Sequence, residues 1–516
     1  MLDQRRVSSI AVPVLLAIAA LNVALLFRMT VDDAFIVFRY ARNLVEHGQP
    51  VFNLGERVNA VTSPLLVYID AALYRLVGDL ELGSKLFALL LFALLCASAA
   101  LWFRKNGLAL ALFLALVATS PYFALWTVGG LETPHLAFLI YFMTQLYLAN
   151  AESPRTWRLS LLVALAGIAF LVRYDSIVFT APLALFALQS LRLPRALWAL
   201  AVAALLPIVW LAFSWHYYGD ILPTSFYLKH PEFGLFKLFH NAVYILEFLL
   251  FSSVILVGWT MAWSTTPMAV WRGSRRNIAL VLAFGLTFAY ATTAATAHMM
   301  FSYRMLVAYL PALALVLVDR VAKDRETPGW PSKVAALVVI TTVLNLANLA
   351  VVRFQSIAGS RVGEYALTNV EQYESFLDVM RGAAQTIDAH WRSRSESAAR
   401  QPRLDVFAEG VVPYLLPTSR SYGSLTSYRS RCAYDPLSSD YLFLRLLPYP
   451  IRTATGAKMI EWREQNERLI ADHPIIFRQT TKFEGLEQSW IVLWNEHPRE
   501  NRLPNKVHDE CLSDTP

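Results

Sequence analysis

Eleven apolar runs, most of them about 20 residues long, follow one another between residues 8 and 352, and a helix of that length crosses the hydrocarbon of a bilayer. The runs are 8–29, 82–103, 107–121, 131–149, 158–174, 176–191, 196–215, 240–262, 277–296, 304–319 and 332–352. Backbone polar groups find no water in lipid, so these runs predict helices rather than loops or open sheets. The composition agrees: 56% of the 516 residues are apolar and only 16% are charged. Trp, Tyr and Phe make up 13%, as interface anchoring requires. The predicted fold class is therefore a polytopic α-helical membrane protein of about 11 transmembrane helices.

The net charge of +7 would fit a nucleic-acid binder. That class is excluded, because the basic residues fall in small clusters between apolar runs, the pattern of cytoplasmic loops. With the N-terminus inside, the inner connections carry Arg104 and Lys105, Arg155 and Arg158, Arg192 and Arg195, then Arg272, Arg275 and Arg276, and finally Arg320, Lys323, Arg325 and Lys333. Their bias sets the orientation. The opening MLDQRR resembles a signal peptide, but no small-residue cleavage site precedes Asp32, so residues 8–29 are read as the first span.

The opposite loops hold a different population. The first, 30–81, brings Asp32, Asp33, Arg39 and Arg42, directly after an apolar run. Later ones bring Glu132, then Arg173 and Asp175, then Tyr218, Asp220, Tyr227 and Lys229, then His298 and Arg304. Charges at membrane boundaries are costly unless paired or hydrated, and their recurrence on one face marks a functional site. Taken singly, each has a plainer reading: Arg173 could simply pair with Asp175 or Asp220, and Lys229 and Arg304 could snorkel to lipid phosphates. The expectation is that these helix ends converge on one acidic and basic pocket.

Residues 63–77, SPLLVYIDAALYRLV, are too short and too charged to span, and predict an amphipathic helix on the outer surface with Asp70 and Arg75 toward water. Beyond Arg353 the sequence turns polar and Pro-punctuated, so the chain divides into a membrane domain, 1–352, and a soluble outer α/β domain, 353–516. In the latter, 370–391 has helical spacing, while LDVFAEG, YLFLRLL and SWIVLWN read as strands or short buried segments. Of three cysteines, Cys96 packs within a span, and Cys432 and Cys511 could pair in an oxidising compartment.

Six stretches in order, DDAFIVFRYARNL (32–44), VFNLGERVNAVTSPL (51–65), GGLETP (129–134), VRYDS (172–176), YYGDILPTSFYLK (217–229) and YRMLVAYLPAL (303–313), resemble the GT-C superfamily of polytopic glycosyltransferases, within it the bacterial arabinofuranosyltransferases that use decaprenyl-phosphoryl-arabinose. The likeness covers most of 20–320, and in the tail only stretches such as FAEGVVPYLLP (407–417). It implies transfer of a sugar, D-arabinofuranose, from a polyprenyl-phosphate donor to a glycan or a pilin-like protein acceptor, at the outer face of a bacterial plasma membrane. Tyr174 and Ala60-Val61-Thr62 depart from the family pattern, so sugar and acceptor preference do not carry over.

Such transfer needs a base for the acceptor hydroxyl, and Asp32 or Asp33 is the candidate. The prenyl phosphate is already a good leaving group, so cations that hold its oxygens suffice: Lys229, Arg304 and Arg173, with Arg39, Tyr218 and Tyr227 also at the substrate and His298 at a phosphate or the acceptor. Glu132, Asp175 and Asp220 would bind sugar hydroxyls or orient the cations. One base implies inversion, whereas a second carboxylate, from Glu132 or Asp220, would permit double displacement. A divalent cation on the Asp pair is chemically allowed, though no ligand spacing demands one. A lipid-linked glycan transporter or flippase is the alternative, and would show charges at the bilayer midplane and broken helices in an internal repeat. An assembly factor would leave the boundary charges without a purpose.

Overall fold

The structure, a computed structural model, describes residues 4–228, 234–258, 275–294, 301–323, 329–354, 369–406, 409–427, 435–446, 466–483 and 486–499. Lys229 and His298, two expected substrate contacts, and Cys432 and Cys511, whose pairing the sequence leaves open, lie outside these residues. In chain order the helices are α1 (Gln4–Leu26), α2 (Asp32–His47), α3 (Pro64–Val77), α4 (Leu80–Trp102), α5 (Gly107–Val117), α6 (Pro121–Val128), α7 (Thr133–Glu152), α8 (Thr156–Val172), α9 (Ile177–Gln189) and α10 (Leu193–Tyr218). They continue as α11 (Thr224–Leu228), α12 (Leu235–Phe251), α13 (Arg275–Ala294), α14 (Arg304–Val307), α15 (Leu310–Lys323), α16 (Trp330–Phe354), α17 (Val370–Arg392) and α18 (Val411–Leu415). Two compact units emerge: Met1–Met29 with Ser84–Val209 and Pro231–Gln355, and Thr30–Gly83 with Trp210–His230 and Ser356–Pro516.

In the first unit, every apolar run counted in the sequence falls on one or two helices, as far as the described residues extend. Among the described residues four helices, α1, α4, α10 and α16, are long and apolar enough to cross a bilayer alone, and α5 with α6 makes a fifth if the bent pair is one span. That pair bends by 63° at residues 118–120, where Ser120 caps α6 and Pro121 starts it. A break in a membrane helix frees carbonyls, each costing several kcal/mol in hydrocarbon if left alone. Here Asn345 of α16 donates to the Ala115 carbonyl (2.8 Å) and the Thr119 hydroxyl (3.0 Å), and Asn22 of α1 donates to the Thr119 carbonyl (2.8 Å). Lys85 similarly donates to the Phe27 carbonyl just beyond the end of α1 (2.7 Å). Elsewhere α8 and α10 cross so closely at Gly167 that any Cβ there would overlap the Ala203 carbonyl.

The second unit is built on α2. Its apolar face, Ile36, Val37 and Tyr40, packs with Phe52, Val61, Leu66 and Val67, which joins α2 to α3. The expectation that α3 shows both Asp70 and Arg75 to water needs correction. Arg75 is exposed, but Asp70 is 1% exposed, because it shares the buried face with Leu66, Val67 and Ala71 at helical spacing.

The polar tail forms a five-stranded sheet from β1 (Arg403–Asp405), β2 (Arg420–Ser421), β3 (Tyr441–Leu446), β4 (Ile475–Phe483) and β5 (Leu486–Trp494), in the order β2-β1-β3-β5-β4. The pairs β2–β1 and β1–β3 are parallel, whereas β3–β5 and β5–β4 are antiparallel. The amphipathic helix α17 lays Phe376, Met380, Ala383, Ala384 and Ile387 toward this sheet, with Phe376 5.3 Å from the Trp490 ring.

Candidate active site

Helix α2 begins at the Asp pair because Val31 is extended and both carboxylates sit in the first turn, where unpaired N–H groups favour anions. The Asp32 carboxylate accepts from the backbone N–H of Val411 (2.9 Å) and of Gly410 (3.1 Å), while its own N–H donates to the Tyr373 hydroxyl (2.7 Å). Burial pushes the Asp32 carboxyl up from 3.8 to about 7; the two N–H donors oppose this, and the charges of Asp33 and Glu409 add to it. Asp33 is half-buried beside it.

Glu409 is anchored in turn. Its carboxylate accepts from the hydroxyls of Ser424 (2.8 Å) and Thr426 (2.8 Å) and from the backbone N–H of Leu425 and Thr426. Burial raises its pKa as well. A side chain at Gly423 would overlap this carboxylate, and one at Gly410 would overlap the Asp32 carbonyl.

Two residues expected at the substrate are bonded to main-chain carbonyls within the same unit. Arg39 is 1% exposed, and its guanidinium donates to the carbonyls of Phe52 (2.7 Å), Ser419 (2.5 Å) and Pro413, an arrangement that binds chain segments together. Tyr218 is 5% exposed and donates to the Pro50 carbonyl (2.6 Å), so its hydroxyl proton is spent inside the fold. Asp220 follows at the turn after α10, with its backbone carbonyl accepting from Ser214, and Tyr227 stands 39% exposed on α11.

In the first unit, four expected residues do come together. Glu132 stands at the start of α7, after a turn in which Gly130 takes φ +82°, and its side chain is buried. Arg173 ends α8, and a short 3-10 turn (Tyr174–Ser176) brings Asp175 back beside it. The Arg173 fork meets Asp175 twice (2.7 and 2.9 Å) and reaches Glu132 at 2.6 Å. Arg304 approaches the same Glu132 oxygen at 3.7 Å and lies over the Trp126 ring (5.5 Å).

Arg304 is presented by a strained turn. Ser302 and Tyr303 adopt left-handed φ values of +49° and +60°, which non-glycine residues rarely hold. Trp126 of α6 donates to the Ser302 carbonyl (2.9 Å), and the Tyr303 ring is packed by Tyr122, Tyr244 and Phe248. Among the described residues no three His, Cys, Asp or Glu side chains cluster as metal ligands.

No protein-family profile matches the chain, and no curated protein does. Solved structures do. ArnT from Cupriavidus metallidurans bound to undecaprenyl phosphate superposes with a TM-score of 0.55 at 12% identity, covering 95% of this chain and 99% of that one. The apo state of the same protein gives 0.58 at 13%, over 94% and 97%. The chain shares the fold of this protein. It is a multi-pass membrane protein with a small sheet near its C-terminus.

Sequence reasoning missed several residues that shape these clusters. Tyr373, Gly410 and Val411 act on Asp32 through a ring hydroxyl and backbone amides, and a backbone amide leaves no mark on residue type. The run FAEGVVPYLLP held the available hint, a glycine ahead of a short apolar segment in an otherwise polar tail.

Proposed function

We propose that this chain is an integral-membrane glycosyltransferase that moves a sugar from a polyprenyl-phosphate donor to an acceptor hydroxyl, with Asp32 as the base. The observation that carries the reading is the Asp32 carboxylate itself, held by two backbone amides and pushed by burial to about 7, where a carboxylate is a competent proton acceptor near neutral pH. A fold shared with a protein solved with undecaprenyl phosphate supports the donor class.

In the step, the Asp32 carboxylate takes the acceptor O–H proton as that oxygen bonds to the anomeric carbon. The bond from that carbon to the phosphate oxygen breaks, and its electron pair leaves with the polyprenyl phosphate. Arg173 and Arg304, with Lys229, hold that phosphate, and planar guanidinium forks suit its oxygens. Glu132 and Asp175 set the orientation of the two arginines, and Asp220, Tyr227 and His298 meet sugar or acceptor. One base gives inversion at the anomeric carbon. The sugar we propose is D-arabinofuranose, the donor of the family that the six motifs resemble, although Tyr174 and Ala60-Val61-Thr62 stand outside its pattern, and the proposed acceptor is a glycan or protein at the outer face of a bacterial plasma membrane. In this orientation the N-terminus is cytoplasmic and residues 353–516 form the outer domain.

The transporter alternative draws on the broken α5–α6 pair. Its freed carbonyls, however, are bonded by Asn22 and Asn345, whereas an ion-coordinating break keeps carbonyls available for its ion. The discriminating experiment supplies purified protein with synthetic prenyl-phosphoryl sugars and a panel of acceptors and looks for glycosylated product by mass spectrometry. Product with the arabinofuranosyl donor supports the reading; movement of intact donor across proteoliposomes without product opposes it.

A further inference from the structure

The amides of Gly410 and Val411 come from a segment almost 380 positions from Asp32, yet one stripe of α2 grips that segment along its length. Asp32, Phe35, Arg39 and Arg42 recur at spacings of three and four, one face of a helix. Phe35 packs on the Tyr414 ring (5.3 Å), Arg39 donates to the Pro413 and Ser419 carbonyls, and Arg42 donates to the Tyr414 carbonyl (2.8 Å) while covering its ring (4.5 Å). Gly410 has no room for a side chain against the Asp32 carbonyl. Behind it, Glu409 is fixed by Ser424, Leu425 and Thr426, so the donors cannot drift toward or away from α2 independently.

We infer that Gly410, Val411 and Tyr373 are positioning residues for the Asp32 carboxylate, so that the polar tail completes the base of the transfer reaction. The inference rests on the reading of Asp32 as that base. The tail thereby holds the Asp32 carboxylate by both of its oxygens, one amide on each. The charged groups facing Asp32 are Asp33 from its own helix and Glu409 from the tail, with the Tyr373 hydroxyl from α17. Donated N–H bonds favour the ionised carboxylate, so their loss raises the pH at which Asp32 becomes a base.

The test is the pH profile of sugar transfer by the purified full chain in detergent or nanodiscs, for wild type, Tyr373→Phe and Gly410→Ala. In Gly410→Ala the added Cβ pushes the amides off the carboxylate. The expected result is a kcat lowered about tenfold, the scale of one lost charged hydrogen bond. The acid limb moves to higher pH while KM for donor changes little. Tyr373→Phe removes only the acceptor of the Asp32 backbone N–H, so the acid limb moves less, through a loosened start of α2. Should Gly410→Ala not purify as a monodisperse protein, Val411→Pro removes the 2.9 Å donor without bulk at 410. An unmoved acid limb, with loss uniform in pH or confined to KM, overturns the inference while leaving Asp32 as base. Full activity in Asp32→Asn instead overturns the underlying reading.

Discussion

Arg173 meets Glu132 at 2.6 Å across 41 positions of sequence, and Glu132 is the more deeply buried of the two. One guanidinium therefore holds the start of α7 to the end of α8 while its other edge grips Asp175. Lysine presents a point charge and cannot make the fork. Arg173→Lys is expected to lower kcat/KM about 100-fold, the cost of losing one anion-stabilising donor. Steady-state kinetics with varied donor would read this. Glu132→Gln, which keeps the hydrogen bond and drops the charge, should lose less.

Arg39 gives the opposite signature. Its guanidinium satisfies buried carbonyls, and each acceptor left without a partner costs about 1–3 kcal/mol. Arg39→Ala is expected to lower the unfolding temperature and the monodisperse yield by size-exclusion chromatography. Protein that survives should bind donor as wild type does; a donor affinity that collapses at unchanged stability would restore Arg39 to the substrate.

For the bent α5–α6 pair, Asn345→Ala removes one donor from the Ala115 carbonyl and one from the Thr119 hydroxyl, leaving only the 2.7 Å bond between those two groups. The expectation is a destabilisation of about 1–2 kcal/mol, the range found for polar contacts between membrane helices. Differential scanning fluorimetry in detergent would measure it, and unchanged melting would mean that the bend is satisfied some other way.

Asp32 couples stability and activity to pH with opposite signs. Its folded pKa of about 7 lies above its ordinary 3.8, so the group favours the folded state most strongly at low pH, and that contribution is lost as pH rises through about 7. Transfer needs the ionised form, so kcat should rise through the same window. Melting curves and rates taken together from acid to mildly alkaline pH should therefore trend in opposite directions, and Asp32→Asn should flatten this part of the stability profile.

Much of the membrane part was legible because burial in lipid writes itself into residue type: runs of apolar residues fell on helices, and Glu132, Arg173, Asp175 and Arg304, picked as boundary charges, form one cluster. The same logic gives no sign of the main-chain bonds that Arg39 and Tyr218 make. A cation or hydroxyl bonded to main-chain carbonyls has the same sequence signature as one kept for a ligand, and only tertiary contacts separate them. Asp70 was misassigned for a related reason, since one acid on a mostly apolar helix does not reveal which face it takes. Nothing in the sequence marks the asparagines at 22 and 345, because the break they serve lies elsewhere in the chain.

The most direct test compares wild type and Asp32→Asn, purified side by side with matched melting temperatures, in transfer from a prenyl-phosphoryl arabinofuranose to acceptor, with product counted by mass spectrometry across pH. The account predicts product from wild type, with an acid limb near pH 7, and a loss of at least about 100-fold in the variant, as expected on removing a general base. Undiminished product from Asp32→Asn, or none from wild type with any prenyl-phosphoryl sugar, would contradict it.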